Sequence, residues 1–339
     1  GFSHMSSPPG VVRDESPTKK RPRISNQQCK FALPNKNALP TLDHLYHFGL
    51  HTGQDLPSLF GNVRAVVVMG SGERAQHMAS LWASQTNGIQ TLVGKNERYH
   101  LYHVGAVLIS SHGMGMPSLS ILLHELAKLL QYSGVGPVPI IRIGTSGGVG
   151  VAAGTVVITT SSINGELQEE HQLPILGQLV KRSSQGWAPW LVDELAECSG
   201  DVPVVKGRTM SCDCFYEGQG RLDGSICEYG EADKLAFLQR IHALGVRNIE
   251  MEANYLGAFG KKLGFPVACV CCCLLNRLDG DQVRLSATEM KRYVDGSLNL
   301  VIAWLIQYLK PPGTPATAKA VLPDAKKGDV DPASLAMDR

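Results

Sequence analysis

The stretch Phe215-Tyr216-Glu217-Gly218-Gln219-Gly220-Arg221 places an amide and a guanidinium two residues apart. On an extended segment both side chains would fall on one side. The amide of Gln219 offers one acceptor and two donors, and Arg221 a rigid fork of donors. Together they could read the edge of a flat heterocycle that carries carbonyls and a ring N–H, and uracil is such a ring. Phe215 offers a face for stacking, and the glycines let the backbone approach closely. A plain glycine-rich surface turn is the alternative.

Other stretches could bind an anion. Gly70-Ser71-Gly72-Glu73-Arg74 follows an apolar β-branched run and precedes a helical pattern, the arrangement that aims backbone N–H groups at a phosphate. It lacks the Gly-Lys-Ser/Thr ending of a Walker loop and the full glycine pattern of a dinucleotide site. An ordinary turn is the alternative. Arg142 lies inside the apolar run Val138–Ile143, ahead of Gly144-Thr145-Ser146-Gly147-Gly148. A buried charge needs a partner, so Arg142 with Thr145 forms a second anion cradle or else a structural ion pair. Glu250-Met251-Glu252 could grip two sugar hydroxyls, because carboxylates only accept. Glutamates at a helix start also complement its dipole.

Elements that would position these residues follow from the pattern. Ala65–Met69, Val138–Ile143, Gly154–Thr160 and Val267–Leu275 read as buried strands, with turn glycines at 144–148. Tyr99 to Ser111 reads as a hairpin. Helices are expected at Leu119–Tyr132 with Ser118 as cap, Trp190–Cys198, Glu231–Leu244, Asn254–Leu263 and from Ser286 to about Leu309. His124 and Glu125 read as surface or interface residues of the first of these. Residues 161–177 are polar and read as an insertion or lid. Alternating strands and helices point to a three-layer α/β/α fold with a central mixed sheet.

The chain has 339 residues, 43% of them hydrophobic, and a formal net charge of +2. That is enough for a sizeable core and too little charge for a nucleic-acid or membrane surface. No apolar run approaches the roughly 20 residues of a membrane span. Cys269 and Cys272 formally make C-x-x-C, but buried strand thiols are the expected account of the run Cys269 to Cys273. Free thiols suit a reducing compartment, and a cytoplasmic location is expected. Gly1–Met5 reads as a cloning remnant. Residues 1–40 are expected to be a remnant and disordered tail, 41–310 one domain, and 311–339 a second disordered tail.

Taken together, residues 45–310 resemble the uridine phosphorylases of the nucleoside phosphorylase-I family. The resemblance rests on Tyr46-His47-Phe48, Gly70 to Arg74, Arg98, Arg142 to Thr145, Phe215 to Arg221, Glu250 to Glu252 and Asn276-Arg277. It implies that Gly70, Arg74, Arg142 and Thr145 bind phosphate, joined by Arg98 of a neighbouring subunit. It implies that Gln219, Arg221 and Phe215 hold uracil, and that Glu250, Met251 and Glu252 hold ribose. His47 would reach the 5′-hydroxyl from the neighbour, and Arg277 would support Arg221 and its loop. The implied catalytic residues are Arg142, Arg221 and Glu252. Bacterial members carry a glutamate after the arginine matching Arg98, where it helps bind an interface cation; here that position is Tyr99. No metal is therefore predicted, and no cofactor beyond phosphate as co-substrate.

The activity this implies is reversible phosphorolysis of uridine, with deoxyuridine as a further candidate substrate, to uracil and (deoxy)ribose 1-phosphate in pyrimidine salvage. A homodimer is implied, with higher assembly left open. A purine phosphorylase of the same fold would want a carboxylate or asparagine in place of Gln219 and Arg221. A catalytically inactive nucleoside-binding relative is the remaining alternative.

Overall fold

The computed structural model describes residues 32–35, 37, 41–93 and 98–310. The cloning remnant, most of the expected N-terminal tail and the whole of 311–339 lie outside the described residues. A small hairpin of β1 (His44–Leu45) and β2 (Leu50–His51) leads to α1 (Leu56–Phe60). Then come β3 (Ala65–Met69), α2 (Gly72–Thr86), β4 (Gln90–Val93), β5 (Leu101–Val104), β6 (Val107–Ser111) and α3 (Met116–Tyr132). They are followed by β7 (Ile140–Gly148), β8 (Val156–Ile163), β9 (Glu170–Ile175), β10 (Gln178–Ser183) and α4 (Pro189–Glu197). The rest is β11 (Val204–Ser211), a 3-10 turn (Glu217–Gln219), α5 (Glu231–Ala243), β12 (Val246–Glu250), α6 (Ala253–Leu263), β13 (Val267–Asn276) and α7 (Ala287–Leu309).

A nine-stranded mixed sheet runs β12-β11-β8-β13-β7-β3-β6-β5-β4. The strand β12 also pairs antiparallel with β7, so β7, β13, β8, β11 and β12 close on themselves. Strand alternation splits the core. Val66 and Val68 of β3 join one apolar cluster with α3 and α6, while Ala65, Val67 and Met69 join another with α2, α4 and α7. The sheet is thus covered on both faces, which is the expected three-layer α/β/α arrangement.

Several expectations are corrected. Helix α3 begins at Met116 rather than Leu119. Gly115, at φ 86°, takes the cap position and Pro117 fills the first turn, while Ser118 donates its hydroxyl to the His112 carbonyl. Glycines 144–148 do not form a turn. They continue β7, because β13 pairs with it as far as Asn276 opposite Gly148. Their value is room: a Cβ on Gly144 would stand 2.8 Å from Arg142 Nη1, and one on Gly147 2.8 Å from Arg277 Cγ. Residues 161–177 complete β8 and form most of a regular hairpin, β9–β10. Leu176 and Gly177 both have positive φ at its tip, as a tight hairpin turn requires.

Candidate active site

Strand β7 carries Arg142 into the closed part of the sheet, where it is 4% exposed. Its Nη1 lies 2.9 Å from Glu250 Oε2 and donates to the thiols of Cys269 and Cys271 at 3.4 and 3.3 Å. Its Nη2 donates to Glu252, and its Nε to His112 Nε2 at 3.2 Å. The ion pair weighed as the alternative for Arg142 is therefore present within the chain. The three donor groups of Glu250, Cys269 and Cys271 lie within 4.8 Å of one another, and Arg142 bonds to all three.

Both glutamates are held where β12 gives way to α6. Glu250 accepts from Ser211 Oγ at 2.5 Å and from the N–H groups of Glu252 and Ala253. Burial pushes its carboxyl up to about 8, against the opposing charge of Arg142. Glu252 accepts from Gly115 N–H at 2.5 Å, which ties the start of α3 to the site. The Cys271 thiol, and after it the Arg142 charge, hold the Cys269 thiol below its usual range against burial. Met251 lies half-buried between the glutamates.

The end of β3 supplies the other candidate cradle. Ser71 caps α2 by accepting from Arg74 N–H at 3.3 Å. The Arg74 guanidinium lies over Gly70, where an added Cβ would stand 3.2 Å from Nη2. Burial, then the charges of Arg142 and Arg74, drive the His112 imidazole far below its usual pKa. Arg74, His112 and Arg142 thus occupy one region. Thr145 is half-buried on β7, opposite Cys272 of β13. Arg98 is exposed on the approach to β5. Tyr99 beside it is buried, with its hydroxyl donated to the Ser118 carbonyl at 2.8 Å.

Gln219 and Arg221 do not lie on an extended segment. A 3-10 turn ends at Gln219 and Gly220 follows at φ 63°, yet both side chains are buried, 4% and 6% exposed. Arg221 is gripped in bidentate fashion by Asp223, at 2.8 and 2.5 Å, and stacks 4.5 Å over the Phe215 ring. Hydrogen bonding to Arg221 holds the Asp223 carboxyl below its usual range. Arg277, 1% exposed, donates to the Gln219 carbonyl and to Asp281, each at 2.9 Å. Asp281 also takes Lys234 Nζ at 2.9 Å and Leu222 N–H at 3.0 Å. The segment Cys212 to Gly220 contributes to the wall of a cavity of about 580 Å³, together with His171 and Asn254.

His47 is anchored within its own chain. Its Nδ1 lies 2.6 Å from Glu125 Oε1, and the N–H groups of His47 and Phe48 donate to the same carboxylate. Glu125 is therefore a buried clamp, not a surface group; His124 next to it is exposed. His112, Asp223, Asp281 and Ser211 contact Arg142, Arg221, Arg277 and Glu250 in turn, and Glu125 holds His47; none was singled out for this from the sequence. Asp223 carried a faint signal, an acid two residues after Arg221.

The family model for the phosphorylase superfamily matches residues 64–299. A "Uridine and thymidine phosphorylase" of Caenorhabditis elegans is 43% identical over 267 residues, covering 78% of this chain and 90% of that protein. The crystal structure of uridine phosphorylase from Schistosoma mansoni in complex with uracil superposes with a TM-score of 0.77 at 38% identity, covering 80% of this chain and 96% of that one. An "Inactive uridine phosphorylase B" of the same organism is also 38% identical, over 74% of this chain and 87% of that protein.

Proposed function

Because the chain belongs to the phosphorylase superfamily and, within it, to the uridine phosphorylases, we propose that it catalyses the reversible phosphorolysis of uridine. The single observation that carries this reading is the buried meeting of Arg142 and Glu252 beside His112 and Arg74. It sets an anion cradle against a sugar-gripping carboxylate. A phosphate oxygen attacks the anomeric carbon, the N-glycosidic bond breaks, and its electron pair leaves on the uracil ring. Products are uracil and ribose 1-phosphate.

Gly70, Arg74, Arg142 and Thr145, with Arg98 of a neighbouring subunit, hold the phosphate dianion. Glu252, with Met251 and Glu250, holds the ribose. Gln219 and Arg221 meet the charge that spreads over uracil, with Phe215 stacked beside them, and Arg277 fixes the loop they stand on. The work is positioning and electrostatics, with no covalent nucleophile. Deoxyuridine fits the same reading, and the C. elegans relative's name extends the panel to thymidine. Inorganic phosphate is the co-substrate and no metal or further cofactor enters the reading.

The unit we propose is a homodimer in the cytoplasm, serving pyrimidine salvage. The described cysteines are all free thiols, which supports a reducing compartment. No described helix is long and apolar enough to cross a membrane. A nucleoside-binding protein without turnover is the second reading, and the similarity to an inactive relative favours keeping it. Uracil release from a nucleoside panel, with and without phosphate, separates the two.

A further inference from the structure

His112 stands directly after β6 with its side chain fully buried. Its backbone is fixed at both ends: its N–H donates to the Met69 carbonyl at 2.7 Å, and its carbonyl accepts from Ser118 Oγ at 2.5 Å. The ring therefore sits at a set place, within hydrogen-bond reach of Arg142 on β7 and close enough to Arg74, in the first turn of α2, to feel its charge. Arg142 Nε–H points at Nε2, so Nε2 must be an unprotonated acceptor and the proton must reside on Nδ1. Two guanidinium charges next to a buried imidazole keep it in that neutral form.

The Nη1 donors of Arg142 go to Glu250 and the two thiols, and Nη2 donates to Glu252 with one of its two N–H groups. Nε–H goes to His112. Without that acceptor a charged N–H would be buried unmet, and the guanidinium would lose one of the contacts that fix its orientation. We infer that His112 is a positioning residue for phosphate: its neutral imidazole sets the orientation of Arg142. This rests on the reading of Arg74 and Arg142 as phosphate ligands.

The test compares His112→Leu, which removes the acceptor, with His112→Gln, whose amide oxygen can replace Nε2. Steady-state kinetics are measured with phosphate and uridine varied separately, and thermal unfolding shows that each variant is folded. His112→Leu should raise the phosphate KM about tenfold or more, with the uridine KM within about twofold of wild type; a hydrogen bond to a charged group is of that size. His112→Gln should recover most of the loss. If His112→Leu does not fold, His112→Met is read in its place. An unchanged phosphate KM in the folded acceptor-less variant, or a folded Gln variant as poor as Leu, overturns the inference. Uracil release by the wild type without phosphate would instead overturn the functional reading itself.

Discussion

A buried guanidinium is tolerated only when its charge and its N–H groups are met, and Arg142 and Arg221 solve this differently. Arg142 is met by two glutamates, an imidazole and two thiols from four different strands and loops. Arg221 is met locally, by Asp223 and the Phe215 face. In the proposed reaction Arg142 belongs to the anion side of the site and Arg221 to the base side. We expect Arg221→Ala to cut kcat/KM for uridine by about tenfold to a hundredfold, the cost of leaving a polar base edge unmet, while phosphate binding stays near wild type. Loss of phosphate affinity with the rate on uridine kept would contradict this division. Residues of unusual type in an unusual place were legible from sequence: an arginine in an apolar strand, glutamates at a helix start, an amide and arginine among glycines. Glu125 was not, because its partner His47 is 78 residues away, and an acid on a helix carries no mark of such a contact.

At the scale of elements, the base loop is held from behind. Asp281 gathers Arg277, Lys234 of α5 and the Leu222 N–H into one buried knot. Against burial, hydrogen bonding by Lys234 and Leu222 and the charges of Arg277 and Lys234 hold the Asp281 carboxyl below its ordinary value of 3.8. A carboxyl whose folded pKa is depressed stabilises the fold above its unfolded value, and that stability is lost as pH falls through the folded pKa. Asp281→Asn should therefore destabilise the protein at pH 7 by about 3 kcal/mol, as breaking a buried ion pair does. It should also narrow the gap to wild type as pH drops below 3.8. Urea unfolding across that pH range checks both; a variant as stable as wild type at pH 7 would show that the knot is dispensable. Strand and helix identities were largely legible, since burial on both faces leaves continuous β-branched runs. The course of β7 past Ile143 was not. Its glycines look like a turn in sequence but make room for Arg142 beside Gly144 and for the distant Arg277 against Gly147.

At the scale of the whole molecule, the closed part of the sheet brings the ends of β7, β11, β12 and β13 to one place, with the end of β3 alongside β7, and the site is built there. His47 and Arg98 lie on segments outside that closure. The reading gives them to a neighbour's site, with His47 braced by Glu125. Complementation tests this: an inactive His47→Ala/Arg98→Ala chain mixed with an inactive Arg221→Ala/Glu252→Ala chain under exchange. One site of each mixed dimer is then intact, and activity should rise towards half the wild-type value per mixed dimer. Exchange without recovery would show that each site is built from one chain.

In the proposed reaction phosphate, not water, cleaves the nucleoside. Its most direct measurement is release of uracil from uridine by the purified protein, with ribose 1-phosphate followed in parallel, across a phosphate titration that starts from phosphate-free buffer. We expect no release without phosphate, saturable release with it, and uracil and ribose 1-phosphate formed in equal amounts. Full turnover in phosphate-free buffer would make the protein a hydrolase, and binding of uridine without turnover at any phosphate concentration would make it an inactive relative; either result contradicts the account.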